Sequence, residues 1–383
     1  MDKIDVFKPL DEKKLSKLAK ERNDWLNSGN DMLINTDTHL SKLVKKMYPN
    51  EIAVLVKAVV SENDNFKSIV ICTKNGEALP KFRAGQKIAV TIFIDDKNYT
   101  SPFSLSGNPV RAANGEYRIL VKKSEDDFVS NYLFCEGKKD MEFTVSCPFG
   151  EFYYNSLRDE KNVIAIVSDT GIAPIMAMVQ AIISGVENFK LILFYSEKYE
   201  SDILFKEELM EYAESSDMID VYFVLSADVK DGMMSGFVSL DKIKNVMLLN
   251  KTSFFISGGE GLLKYLDNEL KDLKLPKKFI RYDSFLPRCN IKKAKKYILT
   301  IYIDGRKLEV PCYNNKTIMK SLFEAGISIP SKCGNGTCGL CTSELVLGEV
   351  KIVNDKRVKA DKKFNYIHPC STYPLSDICI IVR

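Results

Sequence analysis

Three cysteines stand in the order Cys333-x4-Cys338-x2-Cys341, and twenty-eight residues separate Cys341 from a fourth, Cys370. These intervals suit a plant-type [2Fe–2S] cluster, in which each of two irons takes two thiolates. Such a cluster stores one electron at a time. Gly334, Gly336 and Gly339 are three of the nine residues from Cys333 to Cys341. Glycines can turn backbone amides toward buried sulfur, and such amides tune a cluster's potential. The fourth thiol comes from a separate segment, His368-Pro369-Cys370, and can cap the cluster from outside the loop. The rival chemistry is a structural zinc site, which ordinarily joins two closely spaced cysteine pairs, whereas Cys370 stands alone. Disulfides or unrelated thiols are the remaining readings.

Two glycine-bearing turns offer a different chemistry. One is Val167-Ser168-Asp169-Thr170-Gly171-Ile172-Ala173-Pro174, the other Ile256-Ser257-Gly258-Gly259-Glu260-Gly261. Each follows an apolar strand-like run and precedes a helix-like one. Free amides and a helix dipole at such a turn can hold a pyrophosphate. Gly-x-Gly-x-x-Gly is absent. Ligands of open α/β sheets bind at the carboxyl ends of the strands, where both turns would lie.

Several elements must position these groups. The chain has 383 residues, 45% apolar and 28% charged, with a net charge of +4. That length calls for several domains, and the composition predicts a soluble globular protein. Lysines and acids interleave, so no nucleic-acid footprint stands out. No apolar run approaches a membrane span, and the first residues do not read as a signal peptide. Ten cysteines in so long a chain fit a reducing cytoplasm better than a disulfide scaffold.

Residues 1–48 predict a helical N-terminal extension, with an amphipathic stretch around Leu15–Leu26 and another around Leu40–Met47. Residues 49–156 predict an antiparallel β-barrel, with strands at Ile52–Val56, Ser68–Cys72, Lys87–Phe93, Tyr117–Val121 and Glu142–Val145, and a short helix from Ser130. Residues 157–287 alternate strands and helices, as in a doubly wound α/β domain. Its first strand, Val163–Val167, is continuously apolar. A basic linker follows at 288–296. Residues 297–383 predict an α+β domain with a strand pair, a helix near 317–325 and the cysteine loop.

In this order the pieces resemble the ferredoxin–NAD(P)+ reductase superfamily, and more narrowly its three-domain reductases with a C-terminal β-grasp ferredoxin domain. Phe82-Arg83-Ala84-Gly85-Gln86-Lys87-Ile88 is similar to the family's apolar-x-x-Gly-Gln segment. Ser101-Pro102-Phe103-Ser104 lies where the family has Arg-x-Tyr-Ser/Thr. Asp127-Phe128-Val129-Ser130 lies at its Gly-x-x-Ser position, and Cys147-Pro148-Phe149-Gly150 at its Pro-x-Gly exit. The resemblance implies that Phe103 stacks on the isoalloxazine and that Ser104 reaches flavin N5. It implies that Ser101, Val121, Lys122 and Ser130 lie along the flavin. Thr170, Gly171, Pro174, Gly258 and Gly259 would hold the nicotinamide nucleotide, with Ser257 and Asp283 beside the reacting rings. Four departures stand out: Ser101 for arginine, Asp127 for glycine, Ser168-Asp169 for Gly-Gly, and Ser257 for cysteine.

The implied cofactors are a [2Fe–2S] cluster, FAD rather than FMN, and NADH, with NADPH an alternative. Glu197 suits a ribose diol and Lys198 a 2′-phosphate. A flavin converts hydride transfer into single-electron steps. The implied activity is therefore NAD(P)H reduction of a partner metalloprotein or oxidoreductase. The competing functions are an electron-transfer subunit of a larger complex and a redox sensor or carrier without nucleotide turnover.

Overall fold

The computed structural model describes residues 51–383 except 96, 125–126, 229, 247–250, 272–274, 284–292, 304, 354, 356 and 383, together with Lys17, Lys20 and Pro49. Lys17 and Lys20 have helical geometry, and the rest of the expected 1–48 extension lies outside the described residues. The chain divides after Pro49, and Asn50–Arg383 form the larger unit.

The first six strands are β1 (Ile52–Asn63), β2 (Phe66–Cys72), β3 (Lys87–Ile94), β4 (Lys97–Ser104), β5 (Glu116–Lys122) and β6 (Glu142–Val145). They form one antiparallel sheet in the order β4-β3-β6-β1-β2-β5. Just past β4, Leu105 bridges Ile119 of β5, and Ser106 N donates to Arg118 O at 2.8 Å. The two edges therefore meet and the sheet closes around Val54, Ile69, Ile88, Val90 and Ile119. The sequence pattern shows five of these strands. The sixth, β4, carries Pro102 and five polar residues (Lys97, Asn98, Thr100, Ser101 and Ser104), which hide an edge strand. Helix α1 (Phe128–Glu136) follows β5 and is capped by the Asp127 side chain.

Next come β7 (Asn162–Val167), α2 (Ile172–Ile183), β8 (Lys190–Glu197), α3 (Lys206–Ser215), β9 (Ile219–Leu225), β10 (Met234–Ser235), α4 (Leu240–Val246), β11 (Thr252–Ser257), α5 (Glu260–Lys271) and β12 (Ile280–Asp283). The strands run parallel in the order β10-β9-β8-β7-β11-β12. Val163–Val167 is buried throughout, as a strand covered on both faces must be. The chain steps from β7 to β8 on one side and returns to β11 on the other, so the topological switch lies beside β7.

The last part holds β13 (Lys296–Ile303), β14 (Arg306–Tyr313), α6 (Ile318–Glu324), β15 (Ser343–Leu347), β16 (Val350–Ile352), α7 (Lys359–Lys363), β17 (Tyr366–Ile367), β18 (Thr372–Pro374) and β19 (Ile378–Val382). Five strands form a mixed sheet, β14-β13-β19-β15-β17, and β16 pairs with β18. The expected strand pair is thus part of a larger sheet, whose short later strands carry too few residues for a clear alternation. Thr317 caps α6, which buries Ile318 and Leu322 against Leu299, Ile301, Ile378 and Ile380. Residues 293–295 of the expected linker precede β13, while 288–292 lie outside the described residues.

Candidate active site and cluster loop

The cysteine loop folds its amides onto its own sulfurs. Gly336 N donates to Cys370 Sγ at 3.2 Å, while Thr337 N and Cys338 N donate to Cys333 Sγ, each at 3.4 Å. Cys341 Sγ and Cys370 Sγ lie 3.4 Å apart. Cys333, Cys341 and Cys370 are buried, and Cys338 is exposed. Gly336 has φ +78°, and a Cβ there would run into the Ser371 side chain, so the position favours glycine. The neighbouring Cys338 and Cys370 thiols, followed by loop amides, hold Cys333 below the ordinary thiol range. Buried sulfurs side by side, each facing amide donors, fit an iron–sulfur cluster. His368 braces the loop through Nδ1, 2.8 Å from Gly336 O.

The loop begins at a junction between the last sheet and the closed sheet. Lys332 Nζ lies 4.7 Å over the Phe149 ring, and Cys333 is the next residue. Ser328 Oγ donates to Asn98 O at 3.4 Å. Phe323 of α6 faces Tyr99 of β4 at 6.2 Å between ring centres, and Tyr99 packs at a tilt against Phe128 at 4.4 Å. Sequence reasoning missed this aromatic seam, because its members lie far apart in the chain.

A second constellation joins the closed sheet to the parallel sheet. Lys87 Nζ lies 2.5 Å from Asp283 Oδ1, and Ser257 Oγ donates to Asp283 Oδ2 at 3.3 Å. The pair is deeply buried, at 8% exposure for the Lys87 side chain and 3% for Asp283. In the β3–β4 ladder Lys87 pairs with Ser104. Ser104, Ser257 and Asp283 are thereby linked through Lys87, whose place in a strand pattern gives no sign of this role. Ser104 Oγ is buried with no hydrogen-bond partner among the described residues. An orphaned hydroxyl in this place fits a ring acceptor such as flavin N5. Phe103 and Val121 are buried in the core of the closed sheet.

The other end of the expected flavin site is filled by the protein itself. Asp127 Oδ1 accepts from Ser130 N at 3.0 Å and from Ser101 Oγ at 2.9 Å. Ser130 Oγ donates to Lys122 O at 2.6 Å. Burial pushes the Asp127 carboxyl up, against the bonds from Ser130 and Ser101. A carboxylate thus sits at the N-terminus of α1, where a diphosphate would go. The residues fit the ring end of a flavin, and at the phosphate end Asp127 competes with it.

The turn after β7 is arranged in the same way. Asp169 has φ +56°. Its Oδ1 accepts from Thr170 N at 2.6 Å, and its Oδ2 pairs with Lys122 of β5. Asp169 N donates to Glu197 Oε1 at 2.6 Å. Glu197 is therefore turned inward onto this turn. Burial, helped by the charge of Asp169, pushes its carboxyl up to about 7. Gly171 N donates to Ser168 O at 2.9 Å, and Ser168 N to Ser257 O at 3.1 Å. A Cβ on Gly171 would overlap the Ser257 carbonyl, so the two glycine-bearing turns touch. Pro174 lies buried in the first turn of α2, and Gly258 and Gly259 connect β11 to α5.

Residues 301–375, which include all four cysteines, match the 2Fe-2S iron–sulfur cluster binding domain family. Residues 166–268 match the oxidoreductase NAD-binding domain family. The chain is 21% identical over 317 residues to a component of the 1,2-phenylacetyl-CoA epoxidase of Escherichia coli, covering 79% of this chain and 88% of that protein. It is 22% identical over 343 residues to the ferredoxin reductase component of 3-ketosteroid-9-alpha-monooxygenase of Mycobacterium tuberculosis, covering 84% and 93%. Among solved structures it resembles phthalate dioxygenase reductase, a modular structure for electron transfer from pyridine nucleotides to [2Fe–2S]. That match has a TM-score of 0.64 at 20% identity, over 87% of this chain and 97% of the other. Against the flavohemoprotein of Oceanobacillus iheyensis the chain spans only 59% of the relative's length. Among the described residues no helix is long and apolar enough to cross a membrane.

Proposed function

We infer that this chain belongs to the ferredoxin–NAD(P)+ reductase superfamily as a three-domain reductase, moving electrons from NADH through FAD and a [2Fe–2S] cluster to an external metalloprotein. The observation that carries this reading is the junction at Lys332 and Cys333. Cys333, the first of the proposed ligands, directly follows Lys332, whose ammonium packs on Phe149 beside the closed sheet, and this supports a cluster lying next to the flavin side of the molecule. When bound, the flavin supplies the conversion between a two-electron donor and a one-electron acceptor.

The chain's own residues would do the rest. Cys333, Cys338, Cys341 and Cys370 would hold the cluster, with the Gly336, Thr337 and Cys338 amides donating to its sulfurs. The closed sheet is read as the flavin barrel, and the last sheet as a β-grasp domain. Ser104 would donate its free hydroxyl to the flavin ring. Ser257 and Asp283 would line the nicotinamide side, kept in place by Lys87. The turn at Thr170 and Gly171, with Pro174, Gly258 and Gly259, would bind the nucleotide. The names of the relatives favour an oxygenase as the acceptor, and the free thiols suit a reducing cytoplasm.

Anaerobic titration with NADH tests this reading. Flavin absorbance should bleach, and a reduced-cluster signal should follow in electron paramagnetic resonance. Purified protein that contains flavin and cluster but bleaches with neither NADH nor NADPH would overturn it. One observation favours a second reading, a carrier without nucleotide turnover: the Asp169 carboxylate sits on the Thr170 amide. Steady-state reduction of ferricyanide by NADH separates the two, since a carrier of this kind would show no turnover.

A further inference from the structure

We propose that Asp169 is a built-in competitor for the phosphates of the nicotinamide nucleotide, and that the nucleotide enters by taking over both of its partners, the Thr170 amide and the Lys122 ammonium. The inference rests on the nucleotide-binding reading of this turn.

A strand-to-helix turn binds phosphate with amides left free by the helix and with any nearby cation. In this chain both resources are engaged by one side chain. Asp169 Oδ1 takes the Thr170 amide at 2.6 Å, and Asp169 Oδ2 takes Lys122 from across the domain boundary. The residue's own amide is engaged by Glu197 at 2.6 Å. Asp169 is held at φ +56°, a conformation that side-chain-bearing residues adopt at a cost. The exchange has a route. The Lys122 and Asp169 side chains are 41% and 34% exposed, so the carboxylate can turn out into water as a phosphate arrives. In that exchange Lys122 keeps an anionic partner, Thr170 N–H keeps an acceptor, and Asp169 regains solvent. The net cost is the difference between two anions at one site, so Asp169 sets the affinity for the nucleotide. The same pair ties β5 to the turn after β7, so the contact between the two sheets loosens as the nucleotide binds.

The test is NAD+ binding by isothermal titration calorimetry to the full chain with its cofactors bound. Asp169→Asn keeps the size of the side chain and tolerates this backbone conformation, while Asp169→Gly removes the side chain altogether. Both should lower the Kd for NAD+ by about tenfold. Lys122→Met supplies the second arm. It should weaken binding more in the Asp169→Asn background than in the wild type, where its charge is already engaged. A wild type that binds NAD+ and two Asp169 variants that bind it no tighter would overturn the proposal. Equal losses from Lys122→Met in both backgrounds would do the same. A wild type and variants that all fail to bind NAD+ would instead remove the nucleotide-binding reading, and the proposal with it.

Discussion

Ser101 donates its hydroxyl to the carboxylate of Asp127, 2.9 Å away across twenty-six positions of sequence. Two departures from the family pattern that look unrelated in the chain are one contact in the fold. The carboxylate that replaces a glycine is satisfied by the serine that replaces an arginine, and it caps helix α1. Restoring only one of the two family residues would leave its partner mismatched.

That contact predicts the behaviour of Asp127→Ser. Serine is itself a good helix cap, so stability should change by about 1 kcal/mol or less. Removing the negative charge from the helix N-terminus should tighten FAD binding by about tenfold. Titrating FAD into deflavinated protein measures it. Unchanged or weaker binding would show that the diphosphate lies away from α1.

Glu197 predicts a pH dependence of stability. Its carboxyl is raised from 4.5 to about 7 in the fold, chiefly by burial. The native state therefore binds a proton more tightly than the unfolded chain does. The stabilisation this gives is complete below pH 4.5 and is lost as pH rises through about 7. It should amount to about 1–3 kcal/mol after allowing for residual solvent. Glu197→Gln should flatten the decline, as followed by chemical denaturation from pH 5 to 8. Parallel curves for the two proteins would clear Glu197 of that role.

The Lys87–Asp283 pair predicts an asymmetric mutant cycle. Lys87→Met strands a buried carboxylate and should cost about 3–5 kcal/mol. Lys87→Met combined with Asp283→Leu should recover most of that loss, because an apolar pair of similar volume replaces the ions. Urea unfolding gives both numbers. The double variant should still reduce its flavin slowly with NADH in stopped flow, since Ser257 has lost its acceptor. Wild-type rates in that folded double variant would make the pair purely structural.

Cys370→Ser separates the two halves of electron flow. NADH should bleach the flavin at a rate within about twofold of wild type, while cytochrome c reduction falls by at least about tenfold. Equal loss of both rates in a folded variant would reverse the proposed order of the cofactors.

Much of this architecture was legible because its signals are local. The interval between Cys333 and Cys341 records one tight loop, and the unbroken apolar run Val163–Val167 records a strand covered on both faces. Lys87 was not legible. It opens a strand whose next three residues are buried and apolar, and nothing nearby in sequence announces Asp283, which ends a strand in another sheet. Asp169 shows the same limit. Its neighbours suggest a phosphate turn, but its hold on Lys122 depends on how two sheets meet. Chemistry within one turn is written in spacing, whereas chemistry between sheets depends on their packing.

The junction at Lys332 has a consequence for domain exchange. Lys332, whose ammonium lies over Phe149, directly precedes Cys333, so the ligand loop starts from a residue that reaches across to the closed sheet. A chimera that replaces everything after residue 296 with a foreign ferredoxin would bring four cysteines but no mate for Phe149, Asn98 or Tyr99. Such a hybrid should fold and assemble its cluster yet pass electrons slowly. Transplanting the 320–332 face with the new module should restore the rate, so this face, rather than the tether before it, is the heritable connector between modules.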